Sequence, residues 1–131
     1  MRVYWIDNFT TGNVGMMARP KGNDWLEDEI QKLNFYNVDF VVSLLEWNEI
    51  QELGLEKEKY FCEQYNIQFI HLPIPDRNIP ESNKNFIEFI THLNKALQNA
   101  KKIVIHCRMG IGRTSMVAAA LLVSQSLKTK I

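Results

Sequence analysis

The segment HCRMGIGRTS, His106 to Ser115, sets a cysteine and an arginine on either side of two glycines, after an apolar run and before a helix-forming one. A cysteine at a helix start lies in the partial positive charge of the N-terminal amides, which favours thiolate over thiol and makes the sulfur a nucleophile. Five residues separate Cys107 from Arg113, enough for the chain to curl into a cup with the sulfur at its base and the guanidinium at its wall. The planar fork of guanidinium donors matches two oxygens of a phosphate. Gly110 and Gly112 permit the dihedrals that turn successive N–H groups inward as an anion nest. The residues expected to touch the anion are Arg108, Met109, Gly110, Ile111, Gly112 and Arg113. Thr114 carries a hydroxyl able to donate to the sulfur and steady it as a leaving thiolate. The plainer alternative, a glycine turn with a buried structural thiol, explains fewer of these positions together.

Other phosphate-binding motifs do not fit. GxxxxGK followed by Ser or Thr has a different spacing and needs a lysine, and GxGxxG fails because Ser115 stands where its third glycine would be. His71, His92 and His106 show no zinc-ligand spacing with the two cysteines, so no metal is expected, nor any cofactor.

The elements that would position the loop alternate β-rich and helical runs. VYWI (Val3 to Ile6) and Val14 to Ala18 read as an opening pair of strands across a turn-prone DNFTTGN. Asp24 reads as a helix cap with Glu27 as its capping-box partner, and Leu26, Ile30 and Leu33 follow at helical spacing. FVVSLL (Phe40 to Leu45) is the continuous apolar run of a strand covered on both faces. Glu49 to Tyr65 reads as one or two helices broken near Gly54, and FIHL (Phe69 to Leu72) as a strand. PIPDRNIP (Pro73 to Pro80) must be a loop, because its three prolines withdraw donors and restrict their neighbours. Phe86, Phe89, Ile90, Leu93 and Leu97 line one helical face. IVI (Ile103 to Ile105) is a strand, and Thr114 to Leu122 is a helix apolar nearly all round, expected to be buried.

This alternation predicts an α/β domain with a mainly parallel central sheet of about four or five strands flanked by helices. Ligands gather at the carboxyl ends of strands in open α/β sheets. HCRMGIGRTS and PIPDRNIP each follow a strand and are expected on the same edge.

A length of 131 residues suits one domain, with a hydrophobic fraction of 46% and a charged fraction of 23%. Lys plus Arg equals Asp plus Glu at 15 each, which gives no support for a nucleic-acid or membrane footprint. The N-terminus lacks signal-peptide features, and no apolar run approaches the roughly 20 residues of a membrane span, so a cytoplasmic monomer is expected. Cys62 reads as a small packing residue, the alternative being a protective disulfide with Cys107.

HCRMGIGRTS resembles the His-Cys-x5-Arg-Ser/Thr signature of cysteine-dependent protein tyrosine phosphatases, in their compact dual-specificity-like branch. DWLEDEI, VVSLL and HLPIPDRNIP also resemble segments of the small phosphatases related to cyclin-dependent kinase inhibitor 3. The likeness runs from about Met17 to Leu122. It implies that Cys107 attacks phosphorus to form a phosphocysteine intermediate while Arg113 and the loop amides hold the equatorial oxygens. Asp76 matches the family's movable-loop acid, which protonates the leaving oxygen and then helps water hydrolyse the intermediate. His106 would tune the thiolate through a hydrogen bond, or orient the loop backbone. Arg77, Arg108 and Asn78 would rim the pocket or be simply solvated. The family usually adds further helices after the signature helix, whereas this sequence stops at Ile131. The expectation is one domain over residues 1–131, minimal or short of those helices.

Two further readings compete with a phosphatase of phosphorylated proteins. The same chemistry could act on a small phosphoester, such as an inositol phosphate or a nucleotide-derived phosphate. A non-catalytic phosphate-binding module would not need Cys107. Sulfur transfer of the rhodanese type also uses a loop cysteine, but the Arg113-Thr114 pair and the Asp76 loop point to phosphate.

Overall fold

The computed structural model describes residues 1–7, 9–75 and 84–129. Five strands form one sheet: β1 (Tyr4–Trp5), β2 (Asn13–Ala18), β3 (Phe40–Ser43), β4 (Gln68–His71) and β5 (Lys102–Cys107), in the order β1-β2-β5-β3-β4. Only β1 runs antiparallel, against β2; the other pairings are parallel. The helices are α1 (Leu26–Phe35), α2 (Trp47–Leu53), α3 (Glu58–Gln64), α4 (Lys84–Gln98) and α5 (Gly112–Thr129), with a 3-10 turn at Asn23–Trp25.

The sheet separates two apolar layers, because successive strand residues point to opposite faces. Phe40, Val42 and Leu44 join Ile103, Ile105 and Cys107 against Leu93 and Leu97 of α4 and Val117 and Leu121 of α5. Val41, Leu45 and Val104 face the other way, onto Leu26, Ile30 and Leu33 of α1 and Cys62 of α3. FVVS is therefore a continuous apolar run because both of its faces are covered. Each fully buried Leu or Ile here contributes about 1.5–3 kcal/mol over leaving it in water. α4 buries Phe89, Ile90, Leu93, Ala96 and Leu97, so its amphipathic stripe is a core face.

Three expectations from the sequence change. The Asp24–Glu27 capping box does not form: Asp24 sits inside the 3-10 turn, and α1 begins at Leu26 without a side-chain cap. A tertiary contact wins there, since the Asn23 N–H donates to the Gly54 carbonyl at 2.9 Å, and Glu27 instead accepts from the Tyr65 hydroxyl at 3.1 Å. A capping contact does occur at α2, where the Glu46 N–H donates to Glu49 Oε1 at 3.0 Å. Second, β1 covers only Tyr4–Trp5 of VYWI and is exposed. Third, α5 is not buried all round. Val117, Ala118 and Leu121 are buried, but Ser115 and Ala119 are exposed, because the helix packs on the sheet and α4 with one side only.

Candidate active site

β5 lies at the centre of the sheet and ends at Cys107, paired with Ala18 at the end of β2. The loop after it must clear the β2 backbone. At Gly110, φ is +78°, and a Cβ there would lie 2.5 Å from both the Ala18 nitrogen and the Met17 carbonyl carbon. Only glycine satisfies both conditions without strain. Gly112 has no such need, since a Cβ on it would meet nothing within 4 Å. The conformational reason expected for both glycines thus holds at Gly110 alone, and Gly112 opens α5 onto free space.

α5 starts at Gly112, and the Ser115 N–H donates to the Ile111 carbonyl at 3.0 Å. The amides of Gly112, Arg113 and Thr114 precede the intrahelical ladder, and at the positive end of an 18-residue helix they are donors suited to an anion. Cys107 is 2% exposed, beneath a loop whose Met109 and Ile111 are 74% and 71% exposed.

Arg113 is buried, and its guanidinium meets Glu49 of α2 in a bidentate pair, Nη1 to Oε1 at 2.7 Å and Nη2 to Oε2 at 2.9 Å. Nη1 also donates to the Ile74 carbonyl at 3.0 Å and lies 3.5 Å from that of Leu44. These carbonyls follow β4 and β3, so the signature segment and the start of the proline-rich loop do share the carboxyl edge of the sheet. The Arg113 hydrogen bond holds the Glu49 carboxyl below the ordinary carboxylate range, more than burial raises it. Arg108 forms a second bidentate pair with the same helix, to Glu52 at 3.2 and 3.0 Å. The rim cation expected at Arg108 therefore has a carboxylate on it.

The Thr114 hydroxyl is buried and makes no hydrogen bond among the described residues, so its contact with the sulfur is not formed in this structure. His106 points to the opposite face of the sheet from Cys107, toward α3, with Nε2 2.6 Å from Glu58 Oε2. Its Nδ1 has no hydrogen-bond partner among the described residues, so neither contact expected of it, to the thiolate or to the loop backbone, is formed in this structure. Asp76, Arg77 and Asn78 lie outside the described residues.

Glu49, Glu52 and Glu58 were not among the candidates raised by the sequence. A signal existed for two of them, because Glu46, Glu49 and Glu52 recur every third residue and place carboxylates along one side of a helix. Glu58 gave no such signal, since its partner is 48 residues away.

Among solved structures, the kinase associated phosphatase superposes with a TM-score of 0.87 at 21% identity, over 95% of this chain and 74% of that one. Tk-PTP in its active form gives 0.68 at 25% identity, over 92% and 72%. Cyclin-dependent kinase inhibitor 3 of Sus scrofa is 44% identical over 59 residues, 45% of this chain and 27% of the relative. A dual specificity protein phosphatase of Vaccinia virus is 30% identical over 74 residues, 56% of this chain and 43% of the relative. The matched region is less than half the length of either of these curated relatives. The family model Tc-R-P, "Polymorphic toxin system, DSP-PTPase phosphatase", matches residues 14–126. That match takes in both core layers and the whole cysteine loop, and the chain belongs to this family, a dual-specificity-like branch of the cysteine-based protein tyrosine phosphatases.

Proposed function

We propose that the protein is a phosphomonoester hydrolase working through a phosphocysteine intermediate. The observation that carries this is the placement of Cys107 at the end of the central strand, directly before the open N-terminus of α5. A phosphate there would meet the amides of Gly112 to Thr114 and the residue Arg113, whose guanidinium plane is fixed by Glu49. The Cys107 sulfur attacks phosphorus, and the S–P bond forms as the P–O bond to the alcohol or phenol breaks. Asp76, assigned by family resemblance, gives its proton to the departing oxygen. It then takes a proton from water as that water attacks phosphorus, releasing phosphate and restoring the thiolate.

Phosphorylated proteins, at tyrosine or with dual specificity, are the substrates best supported. A polyphosphorylated small molecule would call for surplus cations around the cradle, yet among the described residues Arg108 is paired with Glu52 and the exposed loop residues Met109 and Ile111 are apolar. Such a rim suits a single phosphate presented on a peptide. None of the described helices is long and apolar enough to cross a membrane. A monomer in the cytoplasm, where a free catalytic thiol stays reduced, completes the reading.

Turnover of p-nitrophenyl phosphate by the wild type, Cys107→Ser and Asp76→Asn tests it. Hydrolysis is expected to vanish in Cys107→Ser and to fall by about 10²–10⁴ in Asp76→Asn. Normal hydrolysis by Cys107→Ser would show that the covalent step is wrong. Phosphopeptides assayed beside inositol phosphates and nucleotides then separate the two substrate classes.

A further inference from the structure

His106 and Glu58 form a buried pair one residue from the nucleophile, with side chains 1% and 2% exposed. A carboxylate without water requires a cation or a proton donor at contact distance. As a carboxylate oxygen accepts, His106 Nε2 is the donor across their 2.6 Å. The other ring nitrogen, Nδ1, has no hydrogen-bond partner among the described residues, so Glu58 provides the hydrogen bond that sets the ring's orientation and tautomer. From α3 toward the site the order is carboxylate, proton, imidazole, and then the peptide bearing Cys107.

Given the phosphatase reading above, we propose that Glu58 is a positioning residue for the nucleophile. By holding His106 as an Nε2–H donor, it locks the side chain next to Cys107 in the layer of α3 and so fixes the end of β5 from which the loop departs. The carboxylate itself stays on the far side of the ring, where its charge opposes the thiolate least. Other titratable groups surround the pair. Cys62 is on α3, and burial first, then the charges of Glu58 and Glu63, push its thiol up. Glu56, Lys59 and His71 share with Glu58 the lining of a cavity of about 280 Å³. Across the sheet is Cys107. His71 is committed to the Leu45 carbonyl at 2.6 Å, which leaves Glu58 as the group bonded to the His106 ring.

The test is the rate of iodoacetamide alkylation of Cys107 against pH, followed by peptide mass, which needs no phosphoester. Glu58→Ala, which removes the acceptor, is expected to raise the alkylation midpoint by roughly one pH unit, His106→Asn to raise it similarly, and the double variant to add little. Glu58→Gln, whose amide oxygen still accepts from Nε2–H, is expected to restore a midpoint near that of the wild type. A folded Glu58→Ala protein with the wild-type midpoint overturns the proposal. Imidazole ¹⁵N spectra of the wild type give a second reading that does not depend on the variant folding. A proton on Nε2 of His106 is expected throughout the alkylation range, and a ring protonated on Nδ1 alone overturns the proposal. If Cys107 alkylates and shifts as expected while p-nitrophenyl phosphate is not turned over, the phosphatase reading fails and this one stands. An active enzyme with an unmoved midpoint gives the reverse.

Discussion

Glu49 Oε1 accepts from two donors at once, the Glu46 amide at 3.0 Å and Arg113 Nη1 at 2.7 Å, while Oε2 takes Nη2 at 2.9 Å. One carboxylate thus ends a helix and orients the guanidinium of the cysteine loop. Removing it in Glu49→Ala takes the bidentate carboxylate from a buried arginine and is expected to cost about 3–5 kcal/mol in urea unfolding at neutral pH. Because Arg113 lowers the Glu49 pKa in the folded state, this stabilisation is complete above the value the carboxyl has in the unfolded chain. It is lost as pH falls through the lower folded value. The gap between wild type and variant should therefore close in acid, below the ordinary carboxylate range, and a gap constant with pH would show that the ion pair does not stabilise. The sequence made Cys107 and Arg113 legible, since a local motif fixes their roles. It left the partners of Glu49 and Glu58 hidden, because each lies 64 or 48 positions away and only the fold brings it near.

At the scale of elements, the turn from β5 to α5 depends on one backbone conformation. Gly110 combines φ of +78° with close approach to Met17 and Ala18. Gly110→Ala should cost about 1–3 kcal/mol for the dihedral alone, with the clash added, and Gly112→Ala should stay within about 0.5 kcal/mol. Thermal or denaturant unfolding of the two variants checks this, and equal costs would refute it. Strands and helices whose apolar spacing matched their surroundings were readable: FVVS is buried on both faces, and the α4 stripe from Phe89 to Leu97 is core. Where reading failed, a tertiary contact outweighed local chemistry. Asp24 has the residue type of a cap, but Gly22 and Asn23 dock on the end of α2, where a Cβ on Gly22 would lie 1.9 Å from the Leu53 carbonyl. For α5, composition alone could not tell that one layer covers it, so its exposed side at Ala119 went unforeseen.

Across the whole molecule the sheet keeps the two thiols apart. Cys107 belongs to the layer with α4 and α5, and Cys62 to the layer with α1 and α3. A disulfide needs Cα atoms within about 7 Å and side chains that face each other, which the two sides of a sheet do not offer. Burial also keeps the Cys62 thiol protonated. Mild peroxide followed by non-reducing peptide mass analysis should give adducts at Cys107 and no Cys62–Cys107 crosslink. Recovery of that crosslink from folded protein would contradict the layer assignment.

The seat of Gly110 on Met17 and Ala18 brings main chain against main chain, with no side chain as a spacer. The height of the loop over the sheet is therefore a property of peptide geometry, indifferent to which residues occupy positions 109 and 111. Those outward positions are free to vary with whatever is to be recognised, while the distance from sulfur to helix stays the same.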